Sequence, residues 1–245
     1  MPKHQNEIRL EPVAAYDRIA PEFARLSHRR RAYLDRVEQL VISQIPSGSR
    51  SLLDVGAVDG TRAVHIARAS KVEELTLLEP SKEMRRRWPV GVRGWAMRAE
   101  DLRGQHAQFD VITCLWNVLG HVFPAVGRVE LLRQFARLLS PAGLLFVDVN
   151  HRYNTRHYGA LPTLLRLTRD CLSPKESNGD VIARWEVGGI KYATDGHVFT
   201  HGEFLRLSQR AGLAISRRFT VDYETGKVRR WKFGGNLFYV LQRAE

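Results

Sequence analysis

Two short segments hold the residue types that grip a nucleoside-bearing ligand. In LLDVGAVDGTRA an apolar run delivers Asp54, Gly56 and Gly60 into a turn that opens a helix. Glycine at such a corner lets the backbone approach a ligand and take angles closed to other residues. Taken alone the corner is ambiguous, because dinucleotide folds use the related G-x-G-x-x-G and tight strand-to-helix turns also occur without a ligand. The next apolar run, in LTLLEPSKEM, ends on Glu79, and a carboxylate at the tip of a second strand stands where it accepts hydrogen bonds from ribose hydroxyls. No G-x-x-x-x-G-K-[ST] segment occurs in the chain, which argues against a nucleoside triphosphate site. Further on, DVITCLWNVLGHV sets Leu115, Trp116 and Asn117 directly after an apolar run, with His121 following.

Residues like these act together only if a scaffold brings successive loops to one edge. Across residues 13–45 apolar side chains recur at helical spacing (Ile19, Phe23, Leu26, then Leu34, Val37, Leu40, Val41), with a break near Pro21, which predicts an N-terminal helical cap. The turn PSGS closes it, and the run Ser51–Val55 reads as a buried strand. A helix over Thr61–Ala69, a strand at 75–79, a helix at 82–87, strands at 95–99 and 111–115, a helix at 129–139 and a strand at 144–149 follow. Such alternation means βαβ units and a parallel sheet. Residues 152–180 are polar without a clear period, 181–199 reads as a hairpin, 202–211 as a helix, and 215–223 and 236–242 as strands returning to the sheet edge, with Gly226 in the turn region between them. The expectation is one α/β domain over residues 1–245. It divides into a helical cap at 1–46, a ligand-binding core at 47–150, an insertion over the site at 151–200, and a C-terminal helix with edge strands at 201–245.

With 245 residues, 44% of them hydrophobic, the chain can bury a full core. Neither a signal-peptide pattern nor the ~18 uninterrupted apolar residues of a membrane span is present, so a cytoplasmic, unexported protein is expected. The two cysteines, Cys114 and Cys171, lie far apart without metal-ligand spacing, which predicts reduced thiols and no metal. A formal charge of +12 makes the surface attractive to polyanions: RNA, an anionic small substrate, or no particular partner.

Taken in order, Asp54-Val55-Gly56-Ala57-Val58-Asp59-Gly60, Glu79-Pro80-Ser81 with Met84, Ala99-Glu100-Asp101, and Phe109-Asp110-Val111-Ile112 resemble the class I S-adenosylmethionine-dependent methyltransferases. The match runs over roughly residues 16–150. The resemblance implies a Rossmann-like, doubly wound sheet of seven strands, the last antiparallel, with S-adenosylmethionine across the carboxyl ends of the first strands. It sets Asp54, Gly56 and Gly60 around the methionine portion, Glu79 on the ribose, Pro80 or Met84 against adenine, and Glu100 and Asp101 near the adenine amino group. AAYDRIAPEFARL looks like the family's lid helix, with Tyr16 closing over the cofactor and Arg25 pairing with its carboxylate. One position departs from the D-x-G-x-G-x-G pattern: Val58 stands in place of a glycine, and a β-branched residue tolerates few backbone angles. Ordinary angles with the side chain turned away would preserve binding, whereas a side chain aimed at the cofactor would weaken it or leave a non-catalytic binding protein.

In the same frame Leu115 and Trp116 border the cofactor and Asn117 the acceptor, while His121 is either a general base or a scaffold histidine. VDVNHRYN resembles the corresponding region of small-molecule N-methyltransferases such as glycine N-methyltransferase. That resemblance makes Asn150, His151, Arg152 and Tyr153 candidates to line the acceptor site, the other reading being an exposed basic loop. The expected activity is methyl transfer to a nitrogen or oxygen of a small-molecule acceptor, which the basic surface allows to be anionic. An RNA methyltransferase is the alternative favoured by charge, although CLWN replaces the [DNS]-P-P-[YF] of amino-methylating nucleic-acid enzymes and no RNA-binding module is present. The basic runs His28-Arg29-Arg30-Arg31 and GKVRRWKFGG read as charged faces, the second also able to stack on bases.

Overall fold

Strands that helices cover on both faces are written as continuous apolar runs, and SLLDV and FDVITC are such runs. The computed structural model describes residues 7–244. In chain order its elements are β1 (Ile8–Arg9), α1 (Pro12–Ile19), α2 (Phe23–His28), α3 (Arg31–Ile42), β2 (Ser51–Val55), α4 (Thr61–Ala69), β3 (Glu74–Leu78), α5 (Lys82–Arg85), β4 (Arg93–Trp95), β5 (Phe109–Cys114), α6 (Ala125–Leu138) and β6 (Leu139–Val149). After these come α7 (Thr155–Tyr158), α8 (Ala160–Leu172), β7 (Asp180–Val187), β8 (Ile190–His197), α9 (His201–Arg210), β9 (Leu213–Val221), β10 (Val228–Arg229) and β11 (Asn236–Arg243). The main sheet runs β10-β9-β11-β6-β5-β2-β3-β4. The ladders from β4 through β3, β2 and β5 to β6 are parallel, and β11 is antiparallel to both its neighbours. This is the expected doubly wound sheet, with the two-residue β10 added at one edge.

Strand order reverses at β2, which has β3 on one side and β5 on the other. A crevice therefore opens between the loops at the carboxyl ends of β2 and β5, the usual ligand position in open α/β sheets. One face of the sheet packs on α6 and α9 through Leu132, Phe135, Phe204 and Leu207, all buried. The other packs on α3 and α4 through Tyr33, Val37, Val41 and Ile66.

Three expectations need correction. The last strand does not lie at the sheet edge: β11 is wedged between β6 and β9, with Leu237 to Leu241 buried, since its apolar side chains need cover on both faces. Residues 152–180, read as aperiodic, contain the helix α8, whose Leu161, Leu164, Leu165 and Leu172 stay exposed and whose only buried residue is Thr163; its apolar positions do not mark a core face. The N-terminal cap is not wholly helical, because β1 pairs with β8 through Ile8 and Tyr192 and joins the β7–β8 hairpin in a separate three-stranded sheet. The hairpin turns at Gly188 and Gly189, with φ of 57° and 79°, the backbone a tight two-residue hairpin turn demands. Its inner side chains Trp185 and Val187 pack on Ile19, Ala20 and Phe23, so lid and hairpin form one roof. Residues 1–6 and 245 of the expected cap and C-terminal segment lie outside the described residues.

Candidate functional site

Glu79 directly follows β3, and its carboxylate is a junction for the neighbouring loops. Oε2 accepts the Val58 N–H at 3.0 Å and Oε1 the Ser81 N–H at 2.8 Å. Burial pushes its pKa up to about 7, against the opposing pull of those two N–H groups. Asp54, fully buried on β2, accepts the Thr113 hydroxyl at 2.6 Å and pairs with Arg62 at 3.3 Å. Arg62 sits in the first turn of α4, and its Nε has no partner among the described residues.

Val58 does not keep ordinary angles. Its φ is 46°, so a valine adopts the left-handed backbone of the glycine it replaces. Trp88 holds the turn by donating Nε1–H to the Val58 carbonyl at 2.8 Å, and the valine side chain packs among Ile19, Phe23 and Met84. A left-handed residue costs about 1–2 kcal/mol, whereas half-burying a valine returns about 1 kcal/mol and glycine carries an entropic cost of about 0.5–1 kcal/mol. Val58→Gly is therefore expected to change stability by less than about 1 kcal/mol, as measured by urea unfolding.

A cleft of roughly 290 Å³ lies at the switch point. Of the residues singled out from sequence, Tyr16, Gly56, Val58, Glu79, Pro80, Glu100, Leu115, Trp116 and His121 line it. Several do not. Arg25 is exposed on α2 and outside the cleft, where the carboxylate of Glu22 one turn back supplies its partner. Met84 is buried under the lid helices, and Asp101 points into solvent. Gly60 packs against Leu77 and Trp88 and starts α4, and Asp54 lies beneath the cleft, behind Arg62. Sequence reasoning missed Arg62, Val118, Asp195 and the Arg98–Glu11 pair (2.8 Å), which ties the start of α1 to the wall. For Arg62 a signal existed: it lies next to the glycine turn.

After β5 the chain makes a strained corner. Trp116 and Asn117 both take left-handed φ, 61° and 60°, at a cost of about 1–3 kcal/mol each. Surrounding bonds enforce it: the Asp148 carboxylate accepts the Trp116 N–H and the Tyr33 hydroxyl, and the Asp148 carbonyl accepts the Asn117 N–H at 3.2 Å. Asn117 Oδ1 accepts the Asn150 N–H at 2.9 Å and Nδ2 donates to the His197 carbonyl at 3.2 Å. The corner throws the Trp116 ring between the cleft and a second chamber of roughly 300 Å³ under the lid and hairpin. Tyr16, Trp116 and His121 line both spaces, and Asn117 and Asn150 line the second only. His121 sets Nδ1 at 3.2 Å from the Asp195 carbonyl, and burial lowers its pKa.

His151, Arg152 and Tyr153, expected at the acceptor site, line neither space. His151 is buried, stacks on Phe233 and is pushed down to about pKa 4 by burial. Arg152 is buried between Asp170 (3.0 Å) and Glu203 (2.6 Å), and the Tyr153 hydroxyl donates to Asp170. These side chains turn away from the sheet's carboxyl edge because the chain bends into α7, and buried charges take the partners that α8 and α9 supply. The one group of side chains with metal-ligand spacing among the described residues, Glu176, His197 and Glu203, belongs to the same network and already carries Arg128 and Arg152 as counter-ions.

A doubly wound sheet with its last strand antiparallel, an acidic tip on the strand after the glycine corner and a cleft at the switch point defines the class I S-adenosylmethionine-dependent methyltransferase fold. The family described as Methyltransferase domain matches residues 25–217, and the chain belongs to it. No curated protein matches the chain. Among solved structures, it is similar to the CcbJ methyltransferase from Streptomyces caelestis, with a TM-score of 0.62 and 17% identity, covering 86% of this chain and 90% of that one. The sugar N-methyltransferase KedS8 from Streptoalloteichus sp ATCC 53650 gives a TM-score of 0.57 at 18% identity, covering 87% of each chain. The Burkholderia thailandensis 1,6-didemethyltoxoflavin-N1-methyltransferase, solved with 1,6-didemethyltoxoflavin and S-adenosylhomocysteine, gives 0.57 at 17%, covering 95% of this chain and 89% of that one. At such identities the likeness is one of fold. The methyl donor of the class is S-adenosylmethionine. No helix among the described residues is long and apolar enough to cross a membrane.

Proposed function

We propose that the chain moves a methyl group from S-adenosylmethionine to a nitrogen or oxygen of a small molecule held in the second chamber. The observation that carries this reading is the shared wall: Tyr16, Trp116 and His121 face both the cleft and the chamber, so a donor in one and an acceptor in the other meet there. The cleft suits the donor chemically. Each Glu79 oxygen accepts one backbone N–H and keeps lone-pair capacity for a ribose hydroxyl. Arg62, which lines the cleft and has an Nε without a partner among the described residues, takes the role for the donor's carboxylate in place of Arg25, which pairs with Glu22 outside the cleft. Pro80, Leu78 and Val13 offer apolar surface to the adenine.

When bound, the donor supplies a sulfonium methyl: the acceptor lone pair forms the new bond to carbon as the sulfur–carbon bond breaks, leaving a thioether. The protein aligns the partners and keeps water out under the lid and hairpin. Because the Asp195 carbonyl can only accept, Nδ1 of His121 carries the proton and Nε2 holds a lone pair. Burial favours this neutral form, and Nε2 takes the proton that a hydroxyl acceptor must lose. His121→Ala is expected to lower kcat by about 10²–10⁴-fold for an oxygen acceptor and to leave transfer to a neutral amine within about tenfold, so the two acceptor types separate in one assay.

The first test is thermal unfolding with S-adenosylmethionine and S-adenosylhomocysteine, where ligand at about 100 times its Kd stabilises by about 2.7 kcal/mol. Incubation with the methyl-labelled donor and a fractionated extract comes next. Label in small molecules supports this reading; label in RNA, the substrate the +12 charge would favour, replaces it. The free thiols, Cys114 buried and Cys171 exposed, suit a reducing cytoplasmic setting.

A further inference from the structure

We infer that the acceptor is a planar aromatic acid, its methylated group directed at the Trp116–His121 wall and its anionic substituent at the far rim of the chamber. The inference rests on the proposed acceptor role of that chamber. Its walls are rings drawn from distant parts of the chain. Tyr16 stands edge-on to Trp185 at 6.1 Å, Phe23 is tilted on Trp116 at 5.7 Å, and Tyr223 accepts the Trp116 indole N–H at 3.4 Å. Ring faces and edges at these distances hold a flat, unsaturated ligand by stacking and edge-to-face contact.

The polar lining selects further. Among the described residues no Asp or Glu lines the chamber, whereas Arg29, Arg30 and Arg184 do. Arg30 is stacked on Tyr223 at 4.4 Å and paired with Glu224, and Arg184 is paired with Glu7 at 2.6 Å. Arg29 has no carboxylate partner among the described residues. An aromatic cage by itself also suits a quaternary or protonated amine, but with Arg30 and Arg184 balanced by Glu224 and Glu7, Arg29 leaves the lining net positive, which repels a cation and attracts an anion. A polyhydroxylated acceptor is disfavoured for a separate reason. Asn117 is committed to Asn150 and His197, and the Asn150 Oδ1 accepts from Asn236 at 2.8 Å, so of the chamber's amides only the Asn150 Nδ2 has no scaffold partner among the described residues, too little to hold several hydroxyls.

The test uses the full chain saturated with S-adenosylhomocysteine and calorimetric titration of matched pairs: salicylate against salicylamide, anthranilate against anthranilamide, with glucosamine as the non-aromatic probe. Each acid is expected to bind about tenfold or more tighter than its amide, the range of one charge-assisted hydrogen bond, and Arg29→Gln is expected to erase that preference while keeping the S-adenosylhomocysteine stabilisation. Equal binding of acid and amide, tighter binding of glucosamine, or no aromatic acid bound at millimolar concentration overturns the inference. Absence of any S-adenosylhomocysteine stabilisation would instead overturn the cofactor reading beneath it, so the two failures are distinguishable.

Discussion

Glu79→Ala is expected to weaken S-adenosylmethionine binding by about 100-fold or more without unfolding the protein. Two ribose hydroxyls donating to an ionised carboxylate are worth about 1.5–3 kcal/mol each, and every 1.4 kcal/mol is about tenfold in affinity. The free protein loses little, because the carboxylate is buried at a desolvation cost that raises its pKa to about 7. The sign follows from that shift. Between the ordinary carboxylate range and about pH 7 the folded state holds a proton that the unfolded chain has released. Stability of the unliganded protein therefore falls as pH rises through this window and levels off above it. Binding runs the other way: the hydroxyls need the ionised acceptor, so affinity is expected to climb about tenfold per pH unit up to about pH 7 and then flatten. Titration calorimetry across mildly acid to mildly alkaline pH checks this. A wild-type profile that is flat, or a Glu79→Ala profile with the same slope, would remove the carboxylate from the site.

Arg152→Met is expected to cost about 3–5 kcal/mol of stability, the typical loss when one partner of a buried ion pair is removed, and to leave the acceptor KM unchanged. Arg152 is 4% exposed, and its guanidinium serves Asp170 and Glu203 together. Glu203 in turn meets His197 at 2.6 Å, and the other His197 nitrogen meets Asp180 at 2.7 Å. Deleting the cation leaves Glu203 without a guanidinium partner among the described residues and Asp170 with only the exposed Arg169 at 3.9 Å, where α8, the hairpin and α9 converge. Burial works against ionisation of Asp170, but the Tyr153 hydroxyl and Arg152 overcome it and hold its pKa below the ordinary value. That part of the stability is present above the ordinary carboxylate range and is lost as pH falls through the lowered value. Urea unfolding with an unchanged m-value alongside steady-state kinetics separates the outcomes: a raised KM at unaltered stability would return Arg152 to the substrate.

Much of the architecture was legible in residue order alone, for a local reason. A strand covered on both faces must be apolar along its length, so SLLDV and FDVITC announce a buried parallel sheet, and an acid at the end of ELTLL lies at the strand tip because it is the next residue in the chain. Gly56, Glu79 and Trp116 were found by such adjacency and Tyr16 by the resemblance of its segment to the family's lid helix, and all of them line the cleft. Val58 shows where adjacency ends: its identity argued against a left-handed turn, yet the acceptor on Glu79 and the donor on Trp88 impose that turn from outside the segment.

The remaining assignments depended on contacts that only the folded chain creates. Arg25 pairs with Glu22 outside the cleft, Arg152 and Tyr153 were drawn into a buried network whose acids come from α8 and α9, and His151 was stacked on Phe233. The second chamber was invisible for the same reason, since its rings come from the lid, the β5 corner, the hairpin and the segment after β9. The chain's own order determined a doubly wound methyltransferase sheet and its acidic strand tip, because both follow from neighbours along the sequence. Tertiary structure alone decided which charges are buried together and which rings enclose the second chamber, because pairing and packing are set by proximity in space.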